Sequence, residues 1–368
     1  MKKITIIIAL ILCIGMLVGC TGDSSEVVIS ASDTSSAHIT ANMYNFWAST
    51  SKANFMYTYS DIEDTDEFWQ SEYAEGETYA DYLDSLVLED IKTTAVCLML
   101  YNEYRLSLSD SVKESVEAEI DELLTEYADG SVSTLNSALS RYGANIDILR
   151  SIKLANEKRA MVSDYLFGEG GEMELTDEDY ENYYKENYYR CQIIYINNKY
   201  EYVLDEDGYY ATNSDGTYVT RALSEDTLAE KNAAIEKVKE GLDAGEDFDA
   251  LYCQYSEEQS YENGYYFSAN DSYSDTVFYK LIGDLSEIEV GETAVCQYDY
   301  GTYIIKRLDL DDGAWKDSAN EDFFGSIETV ATNVAFRNFV SQYFSKLTVN
   351  DTVISKYSVS EVNANSRF

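Results

Sequence analysis

Arg190-Cys191-Gln192-Ile193-Ile194-Tyr195-Ile196 is the stretch on which the fold turns. It is short, apolar and rich in β-branched and aromatic residues, so it reads as a buried strand. Downstream, residues 200–222 alternate in polarity and hold two turn signals, Asp207-Gly208 and Asp215-Gly216, which predict a hairpin. Asp205, Asp207 and Asp215 do not complete the spacing of an EF-hand loop, and Asp-Gly is ordinary turn chemistry. From Ser224, the residues Leu228, Ile235, Val238 and Leu242 share one face of a helix. Gly245 separates it from a shorter helix carrying Phe248, Leu251, Tyr252 and Tyr255. Two further strands, 293–298 and 302–308, are joined by a turn at Asp299-Tyr300-Gly301. These elements make a mixed unit over 190–309, with 200–222 inserted as a hairpin.

On both sides of that unit the period changes from two to between three and four. Residues 38–70 hold Phe46, Trp47, Phe55 and Trp69 at loose spacing and read as a helix or an irregular packing segment. Leu83, Leu86, Val87, Ile91 and Ala95 predict a helix between Thr78 and Tyr104. Ser111 and Glu114 fit a capping box ahead of Val116, Ile120 and Leu124. Gly130 and Gly143 bound a short helix, and Ile148, Ile152, Ala155, Val162 and Leu166 stripe a longer one. Thr176 and Asp179 cap a helix in which tyrosines 180, 183, 184, 188 and 189 fall too densely for one buried stripe, so some of them are expected at the surface. Beyond 310 the helical period returns through Phe323, Ile327, Val330, Val334 and Val340, followed by a strand-like tail from Val353 to Val359. The fold class is therefore α+β. Residues 38–189 and 310–368 form one mostly helical domain from both ends of the chain, and the 190–309 unit is inserted as a small antiparallel sheet flanked by helices.

The N-terminus carries a different message. Lys2 and Lys3 precede an apolar run, 4–18, that is shorter than the roughly 20 residues a spanning helix needs. It ends in Leu17-Val18-Gly19-Cys20, which resembles the lipobox of bacterial lipoproteins. That resemblance implies a signal peptide over 1–19, a lipid on Cys20, and attachment at the extracytoplasmic face of the membrane. Residues 20–37 are polar and read as a flexible tether.

With 68 acidic and 26 basic residues, the chain of 368 carries a net charge of −42, which repels phosphate backbones and excludes nucleic-acid binding. Losing 1–19 removes two lysines and no acid, so the mature chain is more acidic still. His38 is the single histidine, and no CxxC pair occurs, so no metal site is expected. Cys97, Cys191, Cys253 and Cys296 each stand among apolar residues and read as buried thiols, with one disulfide left open for an oxidising compartment. Proline is absent, and 34 tyrosines are present.

Several pieces of the middle unit occur in the order of a known family. They are Ala244-Gly245-Glu246-Asp247-Phe248, Gln254-Tyr255-Ser256-Glu257-Glu258, Val290-Gly291-Glu292 and Tyr300-Gly301-Thr302-Tyr303-Ile304-Ile305-Lys306. Together they resemble a parvulin-type (PpiC-like) peptidyl-prolyl isomerase domain. The flanking helices and lipid anchor are similar to the PrsA-type foldase lipoproteins of Gram-positive bacteria and to SurA-type periplasmic chaperones. The resemblance implies a partner class, unfolded or partly folded secreted proteins. It also implies a site at Gln192, Glu258 and Tyr303, with Phe267, Phe278 and Leu281 as candidates for the proline pocket. Gln192 and Tyr303 stand where such domains usually carry histidines.

Prolyl isomerisation needs no nucleophile and no cofactor. It requires only that the twisted amide be bound better than the planar one, against a barrier of roughly 18–20 kcal/mol. Gln192 and Tyr303 each offer a donor and an acceptor, and a hydrogen bond between them would preserve the site's shape without a titrating group. Three readings follow. The first is a folding helper with a degenerate isomerase domain. The second is an active isomerase without histidines. The third is a solute- or glycan-binding lipoprotein.

Overall fold

The computed structural model describes residues 25–31, 37–59, 62–205, 207–214, 216–259, 264–268, 276–324 and 327–368, without the side chains of 276–279 and 322. The signal peptide, Cys20, most of the tether, Asp215 and the Phe278 side chain lie outside the described residues. The chain divides into two compact units, one running to Glu174 and resuming at Thr332, the other spanning Leu175–Ala331. The second is wider than 190–309, taking in the helix before Arg190 and the segment after 309. No helix among the described residues is long and apolar enough to cross a membrane.

The helical unit opens on β1 (Val27–Ala31), which lies inside the segment expected to be a tether. Val27, Val28 and Ile29 are three successive β-branched residues, and that local preference overrides the polar surroundings. β2 (His38–Thr40) pairs on one side of β1. The helices α1 (Ala41–Thr58) and α2 (Asp66–Trp69) then replace the irregular segment. A short ribbon, β3 (Glu72–Ala74) and β4 (Glu77–Thr78), leads into α3 (Tyr79–Glu103). Thr78 and Asp81 form a full capping box at its start, offsetting two of the donors a helix N-terminus leaves open. α4 (Asp110–Ala128) is capped by Ser109, whose hydroxyl accepts from the Val112 amide, rather than by Ser111. α5 (Val132–Leu139) and α6 (Ile146–Phe167) complete the first part of the unit.

The sheet unit starts with α7 (Asp177–Asn187), capped as expected by Thr176 and Asp179. There follow β5 (Tyr188–Ile196), β6 (Tyr200–Tyr202), β7 (Thr220–Ala222), α8 (Glu225–Asp243), α9 (Phe248–Tyr255) and β8 (Tyr265–Ser268). α10 (Thr276–Ser286), β9 (Thr293–Tyr298), β10 (Gly301–Leu308) and α11 (Glu321–Phe324) close it. The main sheet is antiparallel in the order β8-β5-β10-β9.

The tyrosines around α7 are packed rather than displayed. Tyr184 and Tyr188 are buried with Tyr266, Trp315 and Phe324, and the other three are half-buried. Asp311 holds the cluster's polar rim, pairing with Arg190 at 2.7 Å and accepting from the Tyr266 hydroxyl at 3.2 Å.

α12 (Ile327–Ser341) carries the chain back into the helical unit. There β11 (Leu347–Val349) joins the free side of β1. The apolar tail after it is helical, α13 (Asp351–Ile354), because Asn350 caps it by accepting from the Val353 amide. One charged side chain is sealed in this unit. Lys52 pairs with Asp64 at 2.6 Å and donates to the Val362 carbonyl at 3.0 Å. All four described cysteines are free; three are buried, while Cys253 is exposed on α9.

The 200–222 insert is more than a hairpin. Val203 N–H donates to Val219 O (2.9 Å), Val219 N–H to Ala211 O (2.8 Å), and Ala211 N–H to Val203 O (2.8 Å). Three strands thus close on one another through a triangle of backbone bonds. The sequence has the same symmetry: Tyr202-Val203-Leu204-Asp205, Tyr210-Ala211-Thr212-Asn213 and Tyr218-Val219-Thr220-Arg221 recur every eight residues. Gly208 supplies the positive φ of +83° that its turn requires.

Candidate functional site

The register of β5 decides what the expected site can be. Gln192 lies opposite Lys306, Ile194 opposite Ile304, and Tyr195 opposite Tyr303, with no bulge between. Alternation then places Gln192, Ile194 and Ile304 on one face, and Cys191, Ile193, Tyr195, Tyr303 and Ile305 on the other. The first face packs on α8 and α9 through Ile235, Val238, Phe248 and Leu251. The second packs beneath α10 through Leu281 and Leu285.

Gln192 and Tyr303 are therefore on opposite faces of one sheet, and the hydrogen bond expected between them is not made. Gln192 is buried and donates to Asp249 Oδ1 on α9 at 2.7 Å. Tyr303 packs obliquely against Tyr195 and Tyr298, with ring centroids 4.9 and 5.3 Å apart. Glu258 is exposed, and its carbonyl accepts from Ser256 Oγ at 2.6 Å. The same hydroxyl accepts from the Tyr195 amide at 3.2 Å, which holds the turn after α9 against β5.

Of the expected proline-pocket residues, Phe267 and Leu281 are both 0% exposed and belong to one core cluster. Leu281, on α10 itself, packs onto the sheet face that carries Phe267 of β8, so the two fill the space between helix and sheet rather than wall an open pocket. The nearby polar groups are locked as well. Tyr298 donates to the Asp284 carboxylate, and burial pushes its hydroxyl well above its ordinary value. Burial also pushes the Cys296 thiol up to about 12 and drives Cys191 higher still, so neither is a thiolate near neutral pH.

The helical unit contains an open site that composition alone did not reveal. A groove of about 970 Å³ is bounded by residues of α1, α3, α6 and α12. Trp47, Phe167 and Phe336 give it apolar walls, and Phe167 meets Phe336 edge-on at 5.9 Å. Its rim carries amides, a hydroxyl and guanidinium groups, among them Asn54, Asn156, Ser163, Asn333 and Arg337. Arg159 is held in place by Asp90 at 2.7 Å and by the Thr94 hydroxyl at 3.2 Å. The volume is at the upper end of the roughly 300–1,000 Å³ usual for ligand sites. Apolar walls under a rim of donors and acceptors suit an extended backbone with apolar side chains. Of its residues the sequence singled out only Trp47, and nothing local joins residues nearly 300 positions apart.

No family model and no curated protein matches the chain. Among solved structures it is similar to the foldase protein PrsA of Streptococcus pneumoniae, at 17% identity and a TM-score of 0.23, over 77% of this chain and 96% of that one. It is also similar to the peptidylprolyl isomerase PrsA of Bacillus cereus, at 18% identity and a TM-score of 0.28, over 76% and 93%. A third similarity is to the foldase protein PrsA of Lactococcus lactis, at 11% identity and a TM-score of 0.21, over 91% and 100%. Each is a PrsA structure, the type the sequence resembles.

Proposed function

We propose that this protein is a folding helper that holds extended segments of unfolded secreted polypeptides in the groove of its helical unit. It is tethered outside the cell membrane by a lipid on Cys20. Its inserted parvulin-like unit turns over prolyl bonds weakly or not at all. The observation that carries this reading is a contrast in access. The groove beside Trp47 is open, whereas the residues at the family's histidine positions are split between two faces of a sheet, and the expected pocket residues are sealed. Binding energy for the twisted amide has to come from groups that converge on one bond, and Gln192 and Tyr303 do not converge.

The test is the refolding of a client limited by a cis-proline, with and without residues 21–368. The expected result is less client aggregation and no increase in the proline-limited rate. Gln192→Ala and Tyr303→Phe should change neither. An increase in that rate at substoichiometric protein, lost in either variant, would replace this reading with that of an active isomerase lacking histidines.

A further inference from the structure

The 200–222 insert concentrates exposed aromatic surface. Tyr202, Leu204, Tyr209, Tyr210 and Tyr218 are all exposed, and Tyr209 is 74% exposed. Contiguous apolar surface of this kind marks contact sites. Tyr202, Tyr210 and Tyr218 pack on each other with centroids 5.2–5.6 Å apart. A triangle of that side leaves its centre only about 3 Å from each ring, too close to admit a cation between them. The triad is therefore the insert's own small core, and the free faces are those turned outward. A cleft of about 690 Å³ lies beside them, with Tyr200, Tyr202, Tyr209 and Tyr210 among its walls, together with Glu201 and Glu257.

Charge narrows the occupant. The insert carries Glu201, Asp205, Glu206, Asp207 and Asp215 against one base, Arg221. Arg221 is paired with Glu201 at 2.8 Å, and Lys231 in the cleft wall is paired with Glu257. Elsewhere in the protein, tyrosine faces take the chain's own cations. Arg307 lies over Tyr189 at 5.0 Å, Arg190 over Tyr266 at 5.4 Å, and Lys346 over Tyr343 at 4.6 Å. Among the described residues, no lysine or arginine lies over any ring of the insert. Aromatic faces within an acidic segment, with the local bases already paired, are complementary to a cation from outside.

We infer that this cleft is a second docking site, distinct from the helical groove, which takes a lysine- or arginine-bearing segment of another polypeptide on the faces of Tyr209 and Tyr210. The cationic head lies on the rings, with Asp205 and Asp207 in the turn that carries Tyr209. A fluorescein-labelled peptide of alternating lysine and glycine, titrated with residues 21–368 by anisotropy, tests this. Tyr209→Ser, which leaves the Tyr202–Tyr210–Tyr218 triad intact, should bind about threefold more weakly, the size that one exposed cation–π contact supplies. Tyr209→Phe, which keeps the ring face, should bind as the wild type does. Neither variant alters the net charge, so the difference separates seating on the rings from the diffuse attraction of an acidic protein. The inference falls if the serine variant binds undiminished, or if a glycine–serine peptide or a neutral oligosaccharide binds equally well. It also falls if Ser163→Trp, which fills the helical groove, abolishes binding of the lysine peptide. Concentration-dependent dimerisation lost in the serine variant would assign the surface to a second copy instead.

Discussion

The helical unit and the sheet unit both bury aromatic residues, but they differ in which ones border open space. In the helical unit Trp47 is half-buried and stands with Phe167 and Phe336 around an open groove. In the sheet unit Phe267 is sealed between the main sheet and α10, Tyr184 of α7 is sealed among Tyr188, Tyr266 and Phe324, and most of the exposed rings lie on the insert. Residue type does not separate the two cases. What separates them is whether a neighbouring element covers the face on which the residue falls. α10 covers one face of the main sheet, α8 and α9 the other, and no described element fills the groove beside α6.

The largest effect expected from this contrast is at Phe267. As a fully buried core residue, its replacement by alanine should cost the sheet unit about 3–5 kcal/mol, measured by native-state hydrogen exchange of β5 amides. A loss under about 1 kcal/mol would mean that Phe267 lines an accessible pocket after all, and the contrast would break. Next is Ser163→Trp, which places an indole in the groove. It should weaken protection of an aggregating client about tenfold, equivalent to about 1.4 kcal/mol, with β5 exchange unchanged. Undiminished protection would move client binding out of the groove.

The smallest effect compares two aspartates one turn apart on α3, both in the helical unit. The hydrogen bonds from Thr78 hold the exposed Asp81 carboxyl below the usual range. Its contribution is present above the unfolded value of about 3.9 and is lost as pH falls through the lowered one. Burial holds Asp84 above that range, although it accepts from the Val359 amide at 2.8 Å. Its contribution has the reverse sign: present below about 3.9, and lost as pH rises through the raised value. Asp81→Asn should therefore cost only about 0.3 kcal/mol at neutral pH, because solvent screens an exposed carboxylate, and nothing in acid. Asp84→Asn should remove the penalty that the wild type acquires above the raised value. Urea midpoints across pH check both, and equal slopes for the two variants would refute the assignment.

Much of the architecture was legible because it is local. The strand at Arg190–Ile196, the paired strands around Asp299-Tyr300-Gly301 and the Thr176–Asp179 cap depend on period, turn chemistry and side-chain capping within a few residues. The misreadings also have local causes. Three β-branched residues outweighed a polar neighbourhood at β1, and Asn350 turned an apolar tail into α13. The eight-residue repeat of the insert was visible in the sequence, but the triangle that makes it a closed three-stranded unit joins Val203, Ala211 and Val219 through space.

The amino-acid sequence by itself determined the class of fold, the strongly acidic charge, and the change of period that sets the sheet apart from the helices. These follow from residue type and spacing, which act over one or two turns of chain. Only the tertiary structure decided which side chains share a face and which faces stay open. Strand register fixed Gln192 and Tyr303 on opposite sides, since a strand sends successive side chains to opposite faces and β5 has no bulge to break the alternation. The groove was decided in the same way, because Trp47, Ser163 and Phe336 meet only when both ends of the chain pack into one unit.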